Sequence, residues 1–409
     1  MNKIFPKRDI KLICKEYFDF VEPKVKQRLN ILIGFLLLRE KVTIDLDLDQ
    51  FTHNGTIYFI GSDPIEKRGI INSFFKKNGK IDRITVSLGK LQLPDLNDKS
   101  IYKPNLRAET LESSRFIELS NELQDLIKNE IDISSGSYLD RQRTYSRKLS
   151  KNEKIILSEI FPYQLFFQKK EHDWFYGSKL ADDLNTPVCV YCNREYITSV
   201  VTSKKKKIIG PTFDHFLSQK DYPFLKLSFY NLIPSCTTCN SRLKNQIEFD
   251  FKYFLYPFQE SYEGSVSFRI RLERKDINTK ITSSALVQEQ KLSFRIKSTP
   301  SYNAKLHGSI PKNLKKGNIN VFRTLEVYNG SHKDVALEII EKFQKMPKSQ
   351  IESIYNVLKA QGKKHHEIYR FYFSNYPNEE DFNKRPLARM TRDLTEQLER
   401  VYKFGFKLK

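Results

Sequence analysis

The stretch Cys236-Thr237-Thr238-Cys239-Asn240 follows Cys189-Val190-Tyr191-Cys192 with 43 residues between them, so the chain holds two C-x-x-C pairs. Two such pairs supply four thiolates, the ligand set of a closed tetrahedral zinc site. The start of the chain has no hydrophobic export signal, so a reducing compartment is expected, where metal ligation is favoured over disulfides. We therefore predict a structural zinc site formed by these four cysteines. Buried packing thiols and a redox dithiol are the alternatives.

Between the two cysteine pairs lies Thr212-Phe213-Asp214-His215, a strand-like stretch that ends in two adjacent polar side chains. A second short strand is predicted at Asn231-Leu232-Ile233-Pro234, followed by a helix that runs from the second cysteine pair through Asn240. Cys236 and Asn240 are four residues apart and so lie near one helix face. The start of such a helix is a favourable place for a phosphate group. The predicted order is therefore strand, loop, strand and helix.

These motifs resemble the zinc-stapled HNH endonucleases, bacterial members of the ββα-metal class. The resemblance covers residues 186–260 and depends on the order of the cysteine pairs, Asp214-His215, Asn231 and Asn240. It implies a ββα-metal fold and hydrolysis of phosphodiester bonds with a catalytic divalent ion, Mg²⁺ or Mn²⁺. The N-terminal part of the chain resembles no family that we can name.

The resemblance also implies roles for individual residues. His215 would be the general base that takes a proton from water. Asp214 and Asn240 would hold the divalent ion through oxygen ligands, and Asn231 would brace the loop that orients His215. Asn240 stands where the name-giving pattern has histidine, and its amide oxygen favours a hard ion such as Mg²⁺.

Basic residues flank the motif and are candidates for contacts with nucleic-acid phosphates: Arg194, Lys220, Arg242 and Lys244. Ordinary solvated surface charges are the alternative for each. Lysine plus arginine number 70 against 49 aspartate plus glutamate, a formal net charge of +21. An excess of this size favours a polyanionic partner, because neutralising phosphates releases condensed counterions.

A membrane association is not favoured by the sequence. The longest apolar run, Ile31–Leu38, is far shorter than the roughly 20 residues that span a bilayer. Together with the absence of a secretory signal, this leads us to expect a cytoplasmic protein that binds nucleic acid rather than membrane.

The expected fold class is α+β, with the ββα-metal centre and its four-cysteine structural zinc set in a mainly helical chain with small antiparallel sheets. Five regions are expected: an N-terminal α/β region (1–107), a helical region (108–185), the HNH nuclease core (186–260), a small β region (261–310) and a helical C-terminal region (311–409).

Several elements outside the core are specific enough to check. Alternating apolar and polar residues predict strands at Val42–Asp49, Ile57–Ile60, Ile81–Leu88, Ser265–Arg274 and Lys291–Lys297. Apolar residues at helical spacing predict helices at 8–40, across 108–180, at Lys333–Phe343 and at Leu387–Tyr402.

The resemblance therefore favours an HNH endonuclease that cuts DNA. By analogy with bacterial HNH proteins, which often work beside an ATPase or sensor partner, an antiviral defence effector is the expected setting. A zinc-stapled nucleic-acid-binding or adaptor protein without cleavage is the first alternative. An RNase that uses the same centre is the second, because the centre acts on a phosphate and does not distinguish RNA from DNA.

Overall fold

The computed structural model of the chain describes residues 1–21, 176–201, 207–270, 292–296 and 317–402, apart from positions 18 and 347. It also describes positions 52–53, 56–57, 154, 161, 163, 167 and 305–306. The predicted strands Val42–Asp49 and Ile81–Leu88, and most of the helical region predicted across 108–180, lie outside the described residues.

The chain forms two compact units, and each contains segments that are distant in the sequence. The first unit comprises residues 1–13, 164–218 and 232–409, and therefore includes all four paired cysteines. The second comprises residues 14–163 and 219–231.

The described strands are short and form two-stranded antiparallel sheets, β1 with β2, β3 with β4, β5 with β6 and β7 with β8. In chain order they are β1 Thr52–His53, β2 Thr56–Ile57, β3 Val200–Val201, β4 Lys207–Ile209, β5 Thr212–His215, β6 Leu232–Ser235, β7 Val266–Ile270 and β8 Leu292–Ile296.

The described helices are concentrated in the C-terminal part of the chain. In chain order they are α1 at 10–17 and 19–21, α2 Tyr176–Asp183, α3 Asn318–Val321, α4 Thr324–Ser331, α5 Lys333–Lys345, α6 Lys348–Ala360, α7 His365–Phe373 and α8 Ala388–Tyr402. Among the described residues, 3₁₀ turns lie at Pro223–Leu225, Phe229–Asn231 and Glu379–Lys384, and a π-helix lies at Thr238–Lys244.

The structure confirms the predicted α+β mixture of helices and small antiparallel sheets. Strands β7 and β8 form the predicted small sheet, with Phe268 opposite Phe294. Helices α5 and α8 occupy the predicted helical stretches within two residues at each end. Only the first residue of the predicted strand Ile57–Ile60 lies in a described strand.

Helix α8 covers one edge of β7 with side-chain acceptors. The backbone N–H of Phe268 donates to Asp393 Oδ2 at 2.9 Å, and that of Ile270 donates to Gln397 Oε1 at 3.0 Å. An uncovered strand edge would leave such donors available to another chain. Val266, Phe268 and Ile270 alternate with half-buried residues, so the buried face of β7 packs into the helical core. That core brings together apolar residues from β7 and α4 to α8.

Among the described helices, none combines enough length with enough apolar character to span a membrane.

Candidate functional site

The site is built on β5, β6 and the π-helix that follows. Residues Thr212 to His215 of β5 pair with Ser235 to Leu232 of β6 in an antiparallel register. The Thr212 hydroxyl donates to the Ser235 carbonyl at 2.8 Å, which closes the end of the pair nearest to the second cysteine pair. The π-helix Thr238–Lys244 follows three residues after β6 and contacts β5. The predicted order of strand, strand and helix is therefore present.

The helix differs from the expected α-helix in its hydrogen bonding. The N–H of Asn245 donates to the carbonyl of Asn240, five residues earlier, at 2.9 Å. This wider π turn is rare and frequently occurs at functional sites. At its beginning, the N–H of Asn240 donates to the carbonyl of Cys236 at 3.0 Å, so the expected proximity of these two residues is kept.

The four paired cysteines come together, as their spacing predicts. Cys189, Cys192, Cys236 and Cys239 are buried, and their Sγ atoms all lie within 4.8 Å of one another. The Sγ atoms of Cys192 and Cys236 are 3.9 Å apart. A tetrahedral zinc ion with Zn–S bonds of about 2.3 Å holds its sulfur ligands about 3.8 Å apart. The cluster can therefore hold a metal ion, and its donor set is consistent with structural zinc.

The first cysteine pair is a tight loop held by hydrogen bonds from other parts of the unit. Within the loop, the N–H of Asn193 donates to the Cys189 carbonyl at 2.8 Å. The hydroxyl of Tyr328, from α4, donates to the Cys192 carbonyl at 2.6 Å, and the N–H of Asn2 donates to the Val190 carbonyl at 2.8 Å. These contacts fix the loop in a defined position relative to the core.

Asp214, which the resemblance assigns to the divalent ion, is enclosed by protein groups. Its Oδ2 accepts a hydrogen bond from the Tyr191 hydroxyl at 2.7 Å, and its Oδ1 lies 2.8 Å from the Lys244 Nζ. Lys244 Nζ also donates to the carbonyl of His215 at 2.8 Å. Only 3% of Asp214 is exposed. Both carboxylate oxygens therefore already have hydrogen-bond donors.

The electrostatics of this group follow from its burial. Burial raises the pKa of Asp214, although the Lys244 ammonium and the hydrogen bonds from Lys244 and Tyr191 oppose the rise. Burial also raises the pKa of Tyr191 well above its ordinary value, and the neighbouring Asp214 carboxylate raises it further. Tyr191 is therefore a neutral hydrogen-bond donor at any physiological pH.

His215 lies in the same strand as Asp214, and Asn240 lies in the same π-helix as Lys244. His215 ends β5 and is buried. Because successive strand residues point to opposite faces, the side chain of His215 lies on the face of β5 opposite to the side chain of Asp214. Asn240 lies in the first half of the π-helix and is half-buried.

Asn231 lies in the second unit and donates a hydrogen bond within it, and its role in bracing the loop that orients His215 stays a prediction. It is fully buried and ends the 3₁₀ turn Phe229–Asn231, rather than lying in a strand as predicted. Its Nδ2 donates to the carbonyl of Leu225 at 3.0 Å. This contact closes the segment between the two 3₁₀ turns.

The four basic candidates for phosphate contacts fall into two groups. Lys220 and Arg242 are exposed, which is compatible with a phosphate contact and equally with an ordinary solvated surface charge. The Arg194 side chain is only 10% exposed, with its guanidinium 3.5 Å from Glu195. The Lys244 side chain is 5% exposed and pairs with Asp214. The position of these residues in the sequence could not distinguish the exposed ones from the buried ones, because burial depends on which elements pack against each residue.

The sequence did not predict the hydrogen-bonded group of Tyr191, Asp214 and Lys244. From the sequence, Lys244 is a candidate for a phosphate contact or an ordinary solvated surface charge. The one available signal is spacing, since Lys244 is four residues after Asn240 and so lies near the same helix face.

No protein-family model, curated protein or solved structure matches the chain. The comparisons therefore assign it to no family, and its function is inferred from its own residues.

Proposed function

We propose that the chain is an endonuclease that hydrolyses phosphodiester bonds of DNA, with a structural zinc ion at the cysteine cluster. The observation that supports the proposal is the arrangement of β5, β6 and the π-helix beside the cysteine cluster, with Asp214-His215 on the first strand and Asn240 in the helix. The resemblance described above implies this arrangement for a nuclease centre.

The residues present define what the chain itself contributes. A histidine can accept a proton from water near neutral pH, which is the role proposed for His215. Four cysteine thiolates close the coordination shell of zinc and leave no open position, so the zinc would hold the helix start and take no part in the chemistry. The net charge of +21 supports a polyanionic substrate.

The two proposed ligands of the divalent ion implied by the resemblance differ in how well they fit that role. Asn240 has a half-buried side chain whose amide oxygen is a hard ligand. Asp214 does not fit an open ligand, because it is buried and each of its carboxylate oxygens accepts a hydrogen bond.

The pairing of Asp214 with Lys244 favours a second candidate function. A protein that keeps the cysteine cluster and the strand–strand–helix unit, but whose Asp214 is committed to Lys244, could bind nucleic acid without cutting it. The exposed Lys220 and Arg242 would serve this binding as well as they would serve cleavage.

The test is cleavage of supercoiled plasmid and of total RNA by the wild type and by His215→Ala, each with Mg²⁺, Mn²⁺ or EDTA. We expect metal-dependent plasmid cleavage that falls by about 10²–10⁴-fold in His215→Ala, the usual contribution of a general base. His366→Ala, at a half-buried histidine in α7, is the matched control and should cut like the wild type.

The possible results separate the candidates. Cleavage of RNA alone would identify an RNase. Nucleic-acid binding by a zinc-loaded wild type that cuts neither substrate would support the binding protein and contradict the proposed nuclease.

A further inference from the structure

A lysine ammonium lies buried beside the proposed nuclease centre. The Nζ of Lys244 donates to Asp214 Oδ1 and to the His215 carbonyl, both at 2.8 Å. It also lies 4.7 Å from the centre of the Phe249 ring, a distance at which the ring face attracts a cation. Only 5% of the lysine side chain is exposed. The ammonium therefore has defined partners on several sides and little contact with water.

The carboxylate that faces this ammonium is linked to the cysteine cluster. Its other oxygen accepts the hydrogen bond from Tyr191, which lies between Cys189 and Cys192 and stacks on Phe322 with ring centres 4.4 Å apart. The group thus connects the first cysteine pair, the strand that ends in His215 and the π-helix that contains Asn240. Both residues with proposed roles in the chemistry belong to elements that the group joins.

Burying two opposite charges is costly, and it is tolerated when each is paired and hydrogen-bonded. Here the carboxylate has a donor on each oxygen, and the ammonium has two oxygen acceptors. Removing either charge leaves the other buried without its counter-charge. A divalent ion at Asp214 would have to displace Lys244 or share the carboxylate with it. The arrangement therefore favours a permanent internal counter-charge over an open ligand.

We propose that Lys244 is a positioning residue of the nuclease centre, and that Asp214 is its buried counter-charge and not a ligand of a divalent ion. This inference rests on the proposed function. Lys244 lies in the π-helix four residues after Asn240, and its ammonium donates a hydrogen bond to the His215 carbonyl. This hydrogen bond fixes β5 and the π-helix relative to each other. Displacements of about 1 Å at a reacting group can cost about 100-fold in rate, so such a tie matters for catalysis.

The deciding variant is the double substitution Asp214→Asn with Lys244→Met, compared with the single variants. Replacing both charges together leaves no uncompensated buried charge, so the double variant should fold even if Lys244→Met alone does not. Lys359→Met, at an exposed lysine of α6, is the matched control. Two quantities are measured: the turnover rate on supercoiled plasmid, and the affinity of the zinc-loaded protein for Mn²⁺, followed by electron paramagnetic resonance without substrate.

We expect the double variant to lose about 100-fold in turnover and to bind Mn²⁺ within about twofold of the wild type. An Mn²⁺ affinity at least tenfold weaker in Asp214→Asn and in the double variant would show that Asp214 is a ligand, and would overturn the inference. Unchanged turnover in the double variant would overturn the positioning role. A wild type that cuts neither plasmid nor RNA would overturn the proposed function and the positioning role with it, whereas the Mn²⁺ titration would still test the assignment of Asp214.

Discussion

At the scale of single residues, Asn193 shows how the cysteine cluster is joined to the C-terminal part of the same unit. It follows Cys192 directly and has a left-handed backbone conformation, with φ of 51°. Its Nδ2 donates to the Phe382 carbonyl at 2.7 Å, and its Oδ1 accepts the N–H of Arg389 at 3.2 Å. Its own carbonyl accepts the N–H of Leu387 at 2.6 Å. Asparagine suits this position because it tolerates a positive φ and has both a donor and an acceptor.

Asn193→Ala should lower the free energy of unfolding by about 2–4 kcal/mol. The loss combines unsatisfied buried groups, at about 1–3 kcal/mol, with about 1 kcal/mol for a side chain other than asparagine or glycine in the left-handed region. Asn193→Gly removes the same hydrogen bonds but accepts the backbone conformation, so we expect it to be about 1 kcal/mol more stable than Asn193→Ala. Urea unfolding of the three proteins measures the difference. Equal stability of the two variants would contradict the backbone part of the argument.

At the scale of elements, α2 approaches the strand that carries Asp214 through a glycine. A Cβ atom at Gly177 would lie 2.9 Å from Phe167 Cδ1 and 3.2 Å from Phe213 Cε2. Phe167 and Phe213 pack with ring centres 5.0 Å apart, and Phe213 is the residue of β5 before Asp214. The close packing of α2 beside β5 therefore depends on the absence of a side chain at this position.

Gly177→Ala should destabilise the protein by about 1–3 kcal/mol, the usual cost of overpacking a core. Gly330→Ala in α4 is the matched control, because a Cβ there meets nothing within 4 Å. Alanine has the higher helix propensity, so this control should be more stable than the wild type by up to about 1 kcal/mol. A lower unfolding temperature for Gly177→Ala and a higher one for Gly330→Ala would confirm that packing, and not helix propensity, determines the stability of the variant at Gly177. Stabilisation by both substitutions would show that Phe167 moves aside without cost.

At the scale of the whole molecule, the two cysteine pairs bring distant parts of the first unit together. Residues from the N-terminal segment, from α4 and from the beginning of α8 all donate to the loop that contains Cys189 and Cys192 or to Asn193 directly after it. A metal ion bound by the cluster would therefore stabilise contacts well beyond its four ligands, because binding to the folded state alone shifts the folding equilibrium.

We expect the purified protein to contain zinc, and its removal by a chelator to lower the free energy of unfolding by about 4 kcal/mol or more, the contribution of a ligand present at about 1,000 times its dissociation constant. Cys239→Ala should reproduce this loss. Cys14→Ala, at the cysteine outside the cluster, should retain zinc and stability. Elemental analysis and thermal unfolding with and without chelator measure both effects. A protein without zinc whose four thiols react freely would contradict the prediction.

Features that depend on local spacing could be predicted from the amino-acid sequence alone. Two C-x-x-C pairs predicted the cysteine cluster, because each pair places two thiols on one turn of chain. Alternating residues predicted β7 and β8, and helical periodicity predicted α5 and α8, since these patterns reflect which face of an element is buried.

Which charged side chains are buried could not be predicted in this way, because their burial depends on contacts between distant parts of the chain. Lys244 and Lys220 are both lysines beside the same motif, yet the first is buried against Asp214 and the second is exposed. The distinction depends on the π-helix contacting β5, and on Tyr191 and Phe249 lying around the ion pair. Those partners are up to 53 residues from Lys244 in the sequence, so no local pattern records them. A charge is buried where long-range packing supplies its counter-charge and its hydrogen bonds, and only the folded chain brings these together.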